Sequence, residues 1–295
     1  MILKGRVGAE HAGMRLDDGA KALFETLSKG DIRRIIDWGG CTVAGVMVRV
    51  ASRTLRHGDE ICLGVLEPER RFELSYTSAD MLYVDREYLA VNKKGGFNTQ
   101  RTPYQLKGTV EYAVDGYLKS QGGKEPVRVI HRLDSGTSGV MFFPKNKPAA
   151  THVSAMLKDG KVEKLYWALV AGNPDEDEWP VDACIARMGK FRYGVASAGM
   201  EAHTLFRVLV RAPGAALVEA RPLTGRTHQI RVHLSHCGLP VIGDRAYGGP
   251  PALRMMLHCR SMSFRANDGR EVAAMAPVDD DFVRVCGDYC IRMPE

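Results

Sequence analysis

The spacing of apolar residues changes repeatedly along the first part of the chain, and each change predicts an element. Leu16, Ala20, Leu23 and Leu27 recur near helical spacing, and Ser28-Lys29-Gly30-Asp31 then reads as a stop with a new N-cap at Ser28 or Asp31. In the helix that follows, Ile32, Ile35 and Ile36 form an apolar stripe, while Lys29, Arg33 and Arg34 lie around the opposite, solvent-facing side. Gly39-Gly40 ends it. Cys41 to Val50 alternates as a hairpin about Ala44-Gly45, and the turn His57-Gly58-Asp59-Glu60 leads into a short strand, Ile61 to Leu63. The polar stretches Pro68-Glu69-Arg70-Arg71 and Ser75 to Asp80 predict a linker over 67–80, between a small domain over 1–66 and a larger one over 81–295.

In the larger part, Leu82-Tyr83-Val84 and Tyr88-Leu89-Ala90-Val91 flank Asp85-Arg86-Glu87 as a hairpin. Val127 to Ile130 is strand-like, and Val140 to Phe143 predicts a short buried strand ending at Pro144. Pro148 to Leu157 reads as a helix stopped by Gly160, and Val162 to Val170 as a strand with Lys164, Tyr166 and Ala168 on one face. Ile230, Val232 and Leu234 alternate like a strand, but a Thr227 cap and the Gly238-to-Pro240 stop favour a helix. Strands and helices mix without a regular βαβ rhythm, which predicts an α+β fold rather than a doubly wound one.

Composition narrows the function. A chain of 295 residues, 45% hydrophobic, can bury the core of one large domain plus a small one. With 41 basic against 35 acidic residues, its formal charge of +6 suits a polyanionic partner without requiring one. Seven scattered cysteines without a C-x-x-C pair indicate neither a disulfide framework nor a zinc ribbon, and point to a reducing cytoplasm. No signal-peptide core and no run of about 18 apolar residues is present, so no membrane association is expected.

The candidate chemistry begins at Asp134, in the polar, glycine-containing loop Leu133-Asp134-Ser135-Gly136-Thr137-Ser138-Gly139 between two apolar strands. Read alone, this loop fits a strand connection, or half of an aspartic-protease site. A protease needs two carboxylates sharing a proton, and no second Asp-Ser/Thr-Gly loop exists, which excludes a monomeric protease. His228, His233 and His236 lack a strong zinc spacing, and no metal is expected.

The longer window His131-Arg132-Leu133-Asp134-x-x-Thr137-Ser138-Gly139 resembles the central motif of the RluA family of RNA pseudouridine synthases. Lys164-Leu165-Tyr166-Trp167-Ala168 and Leu223-Thr224-Gly225-Arg226-Thr227-His228-Gln229-Ile230-Arg231-Val232-His233-Leu234 match the same family in order, as do Gly238 to Asp244, Leu257-His258 and Ala276-Pro277. The resemblance covers nearly all the chain after Asp80. Asn92-Lys93-Lys94-Gly95-Gly96 departs from it by lacking a turn proline, and Ser135-Gly136 by lacking charge. The first domain resembles the S4 RNA-binding module through Arg15-Leu16-Asp17, the basic start of the second helix and Gly58-Asp59-Glu60-Ile61.

These resemblances imply a mixed, mostly antiparallel central sheet with flanking helices, next to a small α/β S4-like domain. They imply isomerisation of uridine to pseudouridine in structured RNA, ribosomal or transfer: the bond from base N1 to ribose C1′ breaks, the base rotates, and C5 joins C1′. No oxidant, group donor or nucleotide cofactor is consumed. Asp134 would be the essential carboxylate, attacking C1′ or removing the C2′ proton, with Arg231 as the guanidinium that favours its ionised form. Tyr166 would stack on the base and take part in removing the C5 proton. Arg132 would fill the space left by the flipped base, and Arg226 would contact phosphate. His131, Arg33, Arg34, and Arg187, Lys190 and Arg192 in a basic insertion over Cys184 to Thr204, are further expected RNA contacts. A monomer is expected. The alternative is a non-catalytic RNA-binding or ribosome-assembly factor that kept the fold.

Overall fold

The computed structural model describes residues 1–65, 74–102, 105–189 and 192–294. They form two compact units, one of Met1–Tyr76 with Phe97–Lys124, the other of Thr77–Gly96 with Glu125–Glu295. The segment 97–124 therefore groups with the first unit, where the sequence reading ran a second domain unbroken from Met81. Its hold is local: the Leu106 amide donates to the Trp38 carbonyl at 2.6 Å, and Lys107 Nζ donates to both Asp37 oxygens. The expected linker residues Pro68-Glu69-Arg70-Arg71 lie outside the described residues.

In the first unit, helices α1 (Leu16–Leu23) and α2 (Lys29–Asp37) accompany a sheet of β1 (Ile2–Arg6), β2 (Cys41–Val43), β3 (Val46–Met47) and β4 (Glu60–Gly64), in the order β1-β4-β2-β3. Ser28 caps α2 by accepting from the Asp31 amide, and Ile32 and Ile36 are fully buried. Ala44 and Gly45 take the left-handed angles a two-residue hairpin demands. α1 stops at Leu23, so Leu27 reaches the core from the connection rather than from the helix, because Phe24 leaves the helical conformation. Strand β1, whose alternation is weak in sequence, forms by pairing with β4. Helix α3 (Val110–Ser120) is capped by Thr109.

In the second unit, β5 (Met81–Val84) and β6 (Tyr88–Lys93) form the expected hairpin. They are followed by β7 (Ser138–Pro144), α4 (Lys147–Lys158), β8 (Glu163–Ala171), β9 (Glu178–Asp182), and the separate hairpin β10 (Ile185–Arg187) and β11 (Tyr193–Val195). Then come β12 (His203–Ala212), β13 (Ala215–Pro222), α5 (Gln229–His236), β14 (Leu257–Arg265), β15 (Glu271–Met275) and α6 (Asp280–Asp288). The nine-stranded sheet runs β5-β6-β7-β14-β8-β13-β12-β9, with β15 on β14. Among the named strands of the described residues, only β7 and β14 pair in parallel, so the fold is α+β with a mostly antiparallel sheet.

Val127 to Ile130 joins no strand, correcting the sequence expectation: its β-favouring residues find no ladder partner in the described chain. The central strands β7 and β13 are buried almost throughout. That burial makes them rigid supports for loops entering and leaving them. Among the described residues no helix is long and apolar enough to cross a membrane.

Candidate active site

The loop carrying Asp134 is fixed from beneath by a side chain that the sequence motifs leave without a role. Lys93, at the end of β6, is fully buried, and its ammonium donates to the carbonyls of Thr137 at 2.6 Å, Ser135 at 3.1 Å and Lys94 at 3.2 Å. The Gly96 amide donates to the same Ser135 oxygen at 2.7 Å. A lysine closing the apolar run Tyr88-Leu89-Ala90-Val91 before a glycine pair is the only sequence signal of this anchor.

Gly139 follows with φ +117°, and a Cβ there would fall 2.2 Å from the Cys259 carbonyl oxygen. Only glycine lets β7 approach β14 at the parallel pairing of Ser138 and Gly139 with His258 and Cys259. Burial lowers the His258 pKa to about 4, so its ring is neutral. Nε2–H then donates to the Ala276 carbonyl at 3.1 Å, and Nδ1 accepts from the Ser138 hydroxyl at 2.9 Å. The paired segments Leu257-His258 and Ala276-Pro277 are thus a clamp on the strand behind the loop.

The opposite wall is α5. Its N-cap is His228, at φ 58° and ψ 19°, not Thr227 as the sequence suggested. The turn before it is tied by Gln229: its Oε1 accepts from the Thr224 hydroxyl at 2.7 Å and the Arg226 amide at 3.0 Å, which does the work expected of a Thr227 cap. One turn on, Arg231 points into the unit. Its Nε and Nη2 grip Asp244 at 2.6 and 2.8 Å, its Nη1 donates to Asp134 Oδ2 at 2.7 Å, and its guanidinium lies 4.8 Å from the centre of the Tyr247 ring. Burial alone would weaken this guanidinium's hold on its proton, but hydrogen bonds to Asp244 and the Asp134 charge more than offset that, leaving its pKa above the ordinary value. Asp244 is itself buried and depends on Gly243, where φ is +83° and a Cβ would fall 1.9 Å from the Arg254 carbonyl oxygen.

Asp134 opens into a cleft of about 450 Å³. Tyr166 and Lys164 line it together from one face of β8, as the strand's alternation predicts. Burial pushes the Tyr166 phenol well above its ordinary range, and the Cys259 thiol and the Asp134 charge add to this. The resting phenol is therefore neutral, which suits a ring presented to an uncharged base. Burial also lowers the Lys164 pKa.

Of the residues expected from sequence, Asp134, Tyr166, Arg231, His131, Arg132 and Arg226 line this one cleft. His131 is turned to structure: its Nε2 accepts the Phe142 amide at 3.1 Å, and burial lowers its pKa to about 3. Arg132 is exposed. Arg226 Nε donates to the Glu201 carbonyl at 2.8 Å. Arg187 and Arg192 belong to the β10–β11 hairpin region and are not among the cleft residues, and Lys190 lies outside the described residues. In the first unit, Arg33 donates to buried Asp17 at 2.7 Å, as does Arg15 at 3.0 Å, while Arg34 is exposed. His233 is committed on both nitrogens, to Thr204 Oγ1 at 2.9 Å and the Ala183 carbonyl at 3.0 Å, so it has no lone pair to offer a metal.

A carboxylate held by a bridging arginine, facing a neutral aromatic ring across a polar cleft, can act on a planar uncharged base and its sugar. The comparisons agree with that chemistry. The model of the RNA pseudouridylate synthase family matches residues 87–236, a span holding Asp134, Tyr166 and Arg231. An uncharacterized RNA pseudouridine synthase of Aquifex aeolicus is 35% identical over 255 residues, covering 84% of this chain and 80% of that one. Ribosomal large subunit pseudouridine synthase D of Haemophilus ducreyi is 31% identical over 254 residues, covering 85% and 78%. The solved structure of human RNA pseudouridylate synthase domain containing 4 superposes with a TM-score of 0.64 at 25% identity, covering 74% of this chain and 95% of that one. The fold, the cleft and these relatives together establish that the chain belongs to the RNA pseudouridylate synthase family and isomerises uridine to pseudouridine in RNA.

Proposed function

We propose that this enzyme modifies ribosomal RNA, with Asp134 as the essential carboxylate, Arg231 as its partner and Tyr166 as the ring that receives the target base. The observation that carries the assignment of roles is the chain Asp134–Arg231–Asp244, whose first two members line one cleft with the neutral Tyr166. Arg132 and Arg226 line the same cleft, Arg132 to fill the stack vacated by the flipped base and Arg226 to contact the RNA backbone. The choice of ribosomal RNA is supported by the relative from Haemophilus ducreyi, whose name assigns it to the large ribosomal subunit.

The functional division in this reading is an S4-like RNA-binding module over 1–66, a linker over 67–80 and a catalytic domain over 81–295. Arg33 is largely occupied with Asp17, so Arg34 is the better candidate for a phosphate contact. Replacing Arg34 with Ala should weaken RNA binding and flatten its salt dependence by about one counterion. Unchanged affinity across a salt series would remove the residue from the interface. The enzyme acts as a monomer in the cytoplasm, where its cysteines stay reduced and RNA is at hand.

The target is tested by mapping pseudouridines at nucleotide resolution in RNA from cells with and without this gene. Loss confined to ribosomal RNA is the expected result. Loss confined to transfer RNA would overturn the choice of substrate.

A further inference from the structure

His228 faces the reacting carboxylate, yet none of the roles above uses it. Its backbone is left-handed, a conformation that residues with a side chain rarely adopt. The other such residues among those described, Ala44 and Cys290, sit at a hairpin tip and beyond α6, where turns explain them. At His228 the strain secures a direction. The ring lies edge-on between Tyr193 and Tyr247, at centroid distances of 5.4 and 5.6 Å. Its Nδ1 is 2.8 Å from the Tyr247 hydroxyl, and its Nε2 is 3.7 Å from Asp134 Oδ2.

The hydrogen positions follow from counting donors. The Tyr247 oxygen already accepts the Tyr193 amide at 3.1 Å. If His228 Nδ1 carried the ring proton, the tyrosine proton would have no acceptor and a bare Nε2 lone pair would face a carboxylate. If the tyrosine donates to Nδ1, its proton has an acceptor and the ring proton sits on Nε2, on the side of Asp134 and 3.7 Å from its Oδ2. The charged groups around the ring are Asp134, Arg231, Asp244 and Arg132. Burial lowers the ring's pKa and keeps it neutral, with Asp134 opposing that tendency.

Arg231 Nη1 and His228 Nε2 both approach the same carboxylate oxygen, Oδ2. Among the described residues no hydrogen bond reaches Oδ1. We propose that His228 is a positioning residue for the isomerisation: with Arg231 it turns Oδ2 of Asp134 to the wall and so leaves Oδ1 as the oxygen presented to the target nucleoside. The inference rests on the reading of Asp134 as the reacting carboxylate. It assigns the Tyr193–Tyr247–His228 chain a purpose, to hold one tautomer toward that carboxylate.

The test is single-turnover tritium release from uridine-labelled RNA at saturating enzyme, with RNA affinity measured in parallel. His228→Asn tolerates the left-handed backbone but loses the reach of Nε2. It should slow turnover by about tenfold to a hundredfold with RNA affinity unchanged. His228→Gln, which restores a donor near the Nε2 position, should recover most of that loss. Tyr247→Phe keeps the ring under Arg231 and removes the hydroxyl that sets the tautomer; it should slow the native enzyme several-fold, and add nothing to His228→Asn.

Native turnover by His228→Asn, or equal losses in the Asn and Gln variants, would overturn the proposal and leave the role of Asp134 standing. If His228→Asn does not fold, Tyr247→Phe decides alone, and an unchanged rate refutes it. Turnover by Asp134→Asn in the same assay would instead remove the reading beneath it, and the proposal with it.

Discussion

Replacing Arg231 with Met should both make the enzyme unfold more easily and slow its chemistry severely. Among the described residues the guanidinium alone bridges Asp134 and Asp244, and Asp244 is 2% exposed. Removing one member of such a buried arrangement leaves an uncompensated charge, at a cost of about 3–5 kcal/mol. Loss of the bond to Asp134 also frees the carboxylate to rotate, and removing one preorganised donor of this kind slows turnover by about 10²–10³-fold. Arg231→Lys separates the two effects. A single ammonium cannot grip Asp244 through two bonds and reach Asp134 through a third, so it should recover part of the stability and little of the rate. Denaturant midpoints and single-turnover rates measure each. A stable, active Arg231→Met enzyme would refute this bridging role of the guanidinium.

The second large effect is expected at Lys93, far from any motif that names chemistry. Lys93→Met keeps the apolar stem but leaves the carbonyls of Lys94, Ser135 and Thr137 without their shared donor. Water cannot readily replace it in a fully buried position; the Ser135 carbonyl keeps the Gly96 amide, but those of Lys94 and Thr137 lose this donor, and at about 1–3 kcal/mol for each unsatisfied group a total near 3 kcal/mol is expected. The loop that positions Asp134 would loosen, and a displacement of about 1 Å at a reacting group can cost about a hundredfold in rate. Thermal unfolding and turnover at a temperature where the variant is folded give the two numbers. Native stability would mean that the three carbonyls do not need the amine.

Local features of this fold were legible because their causes are local. Ser28 at the start of α2, the Ala44-Gly45 hairpin, the β5–β6 turn at Asp85-Arg86-Glu87 and Pro148 in the first turn of α4 each carry their own turn or cap chemistry. The strand-like Val127 to Ile130 misled for the complementary reason: β-favouring residues make a strand only where a partner edge is free. The parallel meeting of β7 and β14 could not be read from either segment, although Gly139 is its requirement.

The site divides in the same way. Asp134, Tyr166 and Arg231 stand in recognisable motifs, but Asp134 and Arg231 are 97 positions apart and meet only through the tertiary fold. Asp244, Lys93 and His228 were visible as letters without roles. Their work is to bond, bridge or orient another residue, and a one-dimensional pattern holds no record of which residue that is.

The proposed dependence of the isomerisation on the Asp134 carboxylate is tested most directly by release of tritium from RNA labelled at uracil C5, because forming the new C5 bond must expel that hydrogen. The native enzyme should release tritium from cellular RNA, and Asp134→Asn, folded and binding the same RNA, should release none above background. Release by Asp134→Asn at the native rate would contradict the account.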